Sequence, residues 1–159
     1  MKIWQQIHRV HGNHIVSSRA HAAGAVLAVV LPCLTAMAAQ AGELTIEVSG
    51  VTPNRGKVYV ALYDRPETFP VSGRQRVSQV LTSEAEHLTV HFKDLQPGQY
   101  AVGVFQDLNG NGRLDKNFLG IPKEPYGFSN GARGSIGPPK FAEAAITLNP
   151  DGATTIVLK

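Results

Sequence analysis

From Glu43 onward the chain repeatedly alternates hydrophobic and polar residues with period two, the spacing that puts successive side chains on opposite faces of a β-strand. In ELTIEVS, Leu44, Ile46 and Val48 face one way and Glu43, Thr45 and Glu47 the other. Turn-forming residues, Thr52-Pro53-Asn54-Arg55-Gly56, separate this run from KVYVALYD, in which Val58, Val60 and Leu62 share a face. HLTVHF repeats the pattern with Leu88, Val90 and Phe92. DLQPGQY then turns through Pro97-Gly98 into YAVGVFQD, whose near-continuous apolar character predicts a more fully buried strand. Near the end AAITL and TTIVLK flank NPDG, residues 149–152, and this arrangement predicts a hairpin. Residues 71–83 fit a strand or a single helical turn equally well. Strands at this spacing, without an amphipathic helix, predict an all-β fold, an antiparallel β-sandwich.

Residues 107–140 break the pattern. They are dense in Gly, Asn and Pro and show no sustained periodicity. Loops beyond about 12 to 15 residues are uncommon in compact domains and are either functional or disordered. This one carries Phe118, Leu119, Ile121, Tyr126 and Phe128, more apolar groups than a solvated linker would hold. The expectation is one long ordered loop packed over one end of the sandwich.

The first 41 residues read as a signal peptide. Lys2, Arg9 and Arg19 precede the apolar run AAGAVLAVVLPCL, and small residues follow in AMAAQAG, the order of a secretory leader. Two cleavage signals overlap, Ala36-Met37-Ala38 and Ala39-Gln40-Ala41, and cleavage after Ala41 leaves residues 42–159 as a single domain. The run is shorter than the roughly 20 apolar residues that span a bilayer, so no membrane span is expected after cleavage. Processing also changes the electrostatics. The whole chain has 15 Lys plus Arg against 12 Asp plus Glu; without Lys2, Arg9 and Arg19 the balance is 12 against 12. Basicity therefore belongs to the leader and gives no reason to expect nucleic acid as a partner. Cys33, the one cysteine, leaves with the leader, which removes disulfide and thiol chemistry from the mature domain. A periplasmic or secreted location follows.

Within the irregular stretch, DLNGNGRLD has the spacing of a calcium loop. Asp107, Asn109 and Asn111 take positions one, three and five, the Arg113 carbonyl position seven, and Asp115 position nine, with Gly112 at the bend. Position twelve is Phe118, so the closing bidentate glutamate is missing; Glu124, held between Pro122 and Pro125, is the best substitute, and Asp64 a weaker one. Two readings stay open. One is a weak structural calcium site, and the other a metal-free turn in which Asn and Gly adopt left-handed conformations and Asp107 caps backbone N–H groups.

The blocks D-x-N-x-N-G-x-L-D at residues 107–115, G-I-P-x-E-x-Y-G-F-S-N at 120–130 and P-P-x-F-x-x-A at 138–144 stand in order. With LQPGQYAVGVFQD upstream, they resemble the bacterial family known as domain of unknown function 2141, DUF2141, and the resemblance spans essentially the whole mature chain. It implies an exported transthyretin-like or immunoglobulin-like sandwich and supplies no activity.

Catalytic patterns are weak. GFSNG at residues 127–131 matches the G-x-S-x-G of a hydrolase nucleophile, but no helix can follow Ser129 and no His lies beyond it. His87 and His91 share a strand face with backbones roughly 13 Å apart, too far to chelate one ion alone, and read as solvent-facing. Asp107, Asp115 and Glu124 could serve as paired acids, although a small sandwich offers little cleft. The expectation is a non-enzymatic module without catalytic residues. Its loop presents Tyr126, Phe128 and Arg133 to a protein, peptide or glycan, unless these aromatics are core beneath the loop. The alternative is a small periplasmic hydrolase using the loop acids or Ser129.

Overall fold

A computed structural model describes residues 40–159. The expected leader therefore lies outside the described residues, apart from Gln40 and Ala41. The alternating segments form strands where the pattern places them: β1 (Gly42–Ser49), β2 (Lys57–Tyr63), β4 (Leu88–Leu95), β5 (Gly98–Asp107), β7 (Ile146–Leu148) and β8 (Gly152–Val157). The ambiguous 71–83 segment supplies β3 (Val77–Thr82), an edge strand whose Val77 and Val80 remain exposed. Such a strand lacks the buried face that makes alternation readable.

Three strands make one sheet in the order β4-β1-β8, and the larger sheet runs β3-β2-β5-β6, where β6 is Tyr126–Phe128, with β7 also on β5. Leu44, Ile46, Val48, Val90, Phe92 and Ile156 of the first sheet meet Val58, Val60, Leu62, Val102 and Val104 of the second in the main core. Leu44, Ile46, Val48, Val58, Val60, Leu62, Val90 and Phe92 lie on the faces the period-two pattern assigned. All strand pairings are antiparallel except one, since β8 runs parallel to β1, Leu44 opposite Gly152 through Ser49 opposite Val157.

That parallel pairing corrects the expected hairpin. β7 pairs with β5 and β8 with β1, so residues 149–152 carry the chain from one sheet to the other. Asn, Pro, Asp and Gly make a tight turn in either case, and the choice of partner is long-range.

The larger sheet buries its second face as well. Tyr63 and Ala101, with Ala61 beside them, lie opposite to the main core and are covered by Phe69, Phe128 and Phe141. Small residues at 61, 101 and 103 leave room for the rings: a Cβ on Gly103 would stand 3.3 Å from the Phe128 ring. Phe69 meets Tyr63, Phe128 and Phe141 edge-on at centroid separations of 5.3, 5.6 and 5.9 Å, the preferred geometry for aromatic quadrupoles. This second cluster explains why β5 lacks alternation. Among the described residues no helix is long and apolar enough to cross a membrane.

Candidate functional site

The irregular stretch leaves β5 at Asp107 and returns to it. Its return includes β6 (Tyr126–Phe128), then a 3-10 turn (Ser129–Gly131) and the short helix α1 (Phe141–Ala144). The expected long loop therefore contains a strand. β6 takes Gly103–Phe105 of β5, β7 takes Gly98–Tyr100, and in the interval Val102 N–H donates to Ser129 Oγ at 2.9 Å. Ser129 is fully buried, and its hydroxyl donates onward to the Ala144 carbonyl. Asn130, at φ 56°, donates its amide to the Ala145 carbonyl. The G-x-S-x-G residues are thus used as a joint between strand and helix.

The 107–115 segment is organised around carboxylates that accept backbone N–H groups. Asp107, fully buried, accepts from Gly110 (2.8 Å) and Asn111 (3.2 Å) on Oδ1 and from Gly112 (2.7 Å) on Oδ2. Gly112 holds φ +76°, a left-handed bend that lets its N–H turn inward. Glu124 reaches back across the loop, its Oε1 accepting from Leu108 (2.8 Å) and its Oε2 from Asp115 (2.9 Å). Pairing of Gln106 N–H with the Pro125 carbonyl fixes that return path. Asp115 is the centre of a third set: Asn109 donates to Oδ2 at 2.6 Å and Asn111 to Oδ1 at 2.9 Å. These two amides hold the Asp115 carboxyl below the ordinary aspartate range, with Arg113 and Lys123 adding a smaller push the same way.

All six proposed metal-site residues therefore fall in one loop, but the side-chain oxygens of Asp107, Asn109, Asn111, Asp115 and Glu124 are directed to protein donors. Asn109 Oδ1 accepts from Asn111 N–H and Asn111 Oδ1 from Arg113 N–H, while both side-chain nitrogens point at Asp115. Among the described residues no three Asp, Glu, His or Cys side chains converge as metal ligands. A cation fits this donor set only after both amides rotate to offer oxygen. Asp64 is engaged elsewhere, in an ion pair with Arg76 at 2.9 Å.

Tyr126, Phe128 and Arg133 line one cleft of about 150 Å³. Phe128 is half-buried and belongs also to the aromatic cluster, so it serves both as packing and as wall. The opposite wall, Thr155, Val157 and Lys159, comes from the other sheet and went unrecognised in the sequence. The two sheets meet here through a reciprocal pair, Tyr126 N–H to the Lys159 carbonyl and Lys159 N–H to the Tyr126 carbonyl, each 3.2 Å. Only glycine tolerates this approach at 127, where a Cβ would stand 2.8 Å from both the Ile156 side chain and the Val157 carbonyl. Local sequence holds no signal for such a closure between residues some thirty positions apart; the solvent-facing position of Lys159 in the alternation of TTIVLK was the one hint.

His91 stands on the exposed face of β4, with Nδ1 against Glu43 Oε1 and Thr45 Oγ1. Among the described residues neither His87 nor His91 forms a hydrogen bond with Ser129 or a loop acid.

Fold and loop together define a two-sheet β-sandwich whose irregular excursion is pinned to the larger sheet by buried carboxylates and a buried serine. The family profile described as an uncharacterized protein conserved in bacteria, DUF2141, matches residues 46–157, and the chain belongs to that family. No match was found among curated proteins or among solved structures.

Proposed function

We propose that this protein is an exported, non-enzymatic binding module, periplasmic or secreted, whose contact surface is the cleft beside Tyr126, Phe128 and Arg133. One observation carries the reading. Of the groups that could do chemistry, Asp107, Glu124 and Ser129 are buried and committed to the backbone and Asp115 is held by two Asn amides, whereas aromatic walls and two cationic side chains, Arg133 and Lys159, border open space. Aromatic surface beside Arg suits a flat apolar or sugar face carrying a nearby negative charge. The ligand class is therefore an acidic peptide or glycan segment. Arrays of acidic peptides and acidic oligosaccharides probed with the protein provide the test. Hits should lose at least about tenfold in affinity when Arg133→Ala and Lys159→Ala are combined. An absence of hits, or binding indifferent to the double substitution, refutes the cleft.

A second reading rests on Asp115. Its ionised carboxylate gathers two Asn amides whose oxygen and nitrogen ends exchange by a half-turn. Asn109, Asn111, Asp115 and the Arg113 carbonyl, with Asp107 and Glu124 behind them, would then form the all-oxygen set that calcium takes. With dissociation constants near 0.1 to 1 mM, about 1 mM calcium would stabilise the fold by about 0.4 to 1.4 kcal/mol, a clip on the loop and no sensor. Melting temperature in chelator and then in calcium should rise for the parent and stay flat for Asp115→Asn; a parent indifferent to calcium ends this reading.

A further inference from the structure

Among the described residues Ile136 is fully exposed, and the next most exposed large apolar side chains cluster within residues 118–121 of the same excursion. Phe118, Leu119 and Ile121 are 94%, 68% and 54% exposed, although composition had placed them over the sandwich core. Their exposure is built. A bridge between Lys116 and Pro122 closes a narrow hairpin, with Asn117 N–H donating to the Ile121 carbonyl (2.8 Å) and Gly120 N–H to the Asn117 carbonyl (2.9 Å). Inside it Asn117 Oδ1 accepts from both Leu119 and Ile121 N–H at 2.9 Å. The hairpin base is tied to the carboxylate network, since Lys123 N–H donates to the Asp115 carbonyl and Asp115 N–H to Glu124. Every backbone constraint thus holds three apolar side chains away from the core.

Charge around the tip is one-sided. Asp107 and Glu124 are buried and turned inward, so the exposed rim consists of Arg113, Lys116 and Lys123, with Asp115 the acid among them. We infer that the 116–122 hairpin is a membrane-surface anchor: Phe118, Leu119 and Ile121 enter the headgroup and acyl boundary of a bilayer while the cationic rim meets anionic phospholipid. The inference is independent of the cleft and of calcium.

Two physical considerations select a bilayer over a protein partner. A stable protein contact takes about 800 Å² from each side, and three side chains on a convex tip supply roughly half of that at most. A bilayer interface makes no demand for shape complementarity, and it rewards apolar insertion joined to a few cations. The fixed hairpin also avoids the ordering cost that a disordered segment would incur on insertion.

Flotation of the protein with vesicles, as recovered from the expressing cell, tests the anchor. The compositions are phosphatidylcholine alone and phosphatidylcholine with a quarter phosphatidylglycerol. The parent should float with the anionic vesicles and be released by high salt only in part. Phe118→Ser, Leu119→Ser and Ile121→Ser combined should reduce vesicle binding at least about tenfold. Lys116→Ser with Lys123→Ser should lower binding to anionic vesicles and leave the weak binding to neutral ones unchanged. All substituted side chains are exposed, and unchanged circular dichroism shows that the fold is kept. For depth, Phe118→Trp should give an emission component, absent from the parent, that brominated acyl chains quench. A parent that ignores both vesicle types, a triple-serine variant that floats as well as the parent, or tip-dependent binding to a protein without vesicle binding overturns the inference.

Discussion

Both faces of the larger sheet are covered around β5, and different forces hold what covers them. On the inner face Val58, Val60, Leu62, Val102 and Val104 meet aliphatic partners, so order there follows from apolar area removed from water. On the outer side Phe69, Phe128 and Phe141 pack over the sheet, and the rest of the excursion owes its shape to polar groups. Asp107 organises three backbone N–H groups, Glu124 two, and Ser129 joins β5 to α1; among the described residues no buried side-chain nitrogen or oxygen lacks a partner. A glycine- and asparagine-rich segment can therefore be as fixed as a sandwich core, provided its backbone donors are met locally. Aliphatic packing tolerates approximate shapes, whereas a buried carboxylate with three donors admits no substitute of different geometry.

This contrast is broken most severely from the core side. Ile46→Ala deletes a fully buried side chain between the sheets and should cost about 2 to 5 kcal/mol, lowering the denaturation midpoint of the whole domain as one transition. Asp107→Ala leaves the Gly110 and Gly112 N–H groups without an acceptor and Asn111 N–H with Asn109 Oδ1 alone, and should cost about 3 kcal/mol. Its signature is local: amide exchange should quicken across 108–124 before it does in β1 or β4, and uniform exchange would erase the distinction between the regions. Ser129→Ala unpairs Val102 N–H and the Ala144 carbonyl and should cost about 1 to 2 kcal/mol, with exchange rising at the β5–α1 joint.

The smallest effect is acid-dependent. Because the Asn111 and Asn109 amides lower the Asp115 pKa in the folded state, its contribution is complete above the ordinary aspartate range. It is lost as pH falls through the lowered folded value. The melting-temperature gap between the parent and Asp115→Asn should be constant above about pH 5 and close at lower pH. A gap that widens on acidification would mean the shift has the opposite sign.

The inner face was legible because burial on one side writes itself as period two; Leu44 through Val48, Val58 through Leu62 and Val90 with Phe92 could be assigned from alternation alone. The capping of 107–115 was legible too, since Asp107 and the Asn side chains at those intervals are within reach of nearby backbone N–H groups. Pairing partners were not. Residues 149–152 make the same tight turn whether they join neighbours in one sheet or cross between two, and β6 is too short to display a period. Phe118, Leu119 and Ile121 show the limit of composition: hydrophobicity states a preference for leaving water, and only the hairpin bonds of Asn117 decide that they stay outside the core.

The parallel pairing of β1 with β8 has a temporal consequence. The central strand of the smaller sheet has β4 on one edge, and the other edge waits for a segment about a hundred residues downstream. Until that segment emerges from the ribosome, one side of Leu44–Val48 remains unzipped and the sandwich cannot lock. The smaller sheet is thereby left without its last strand for nearly the whole of synthesis.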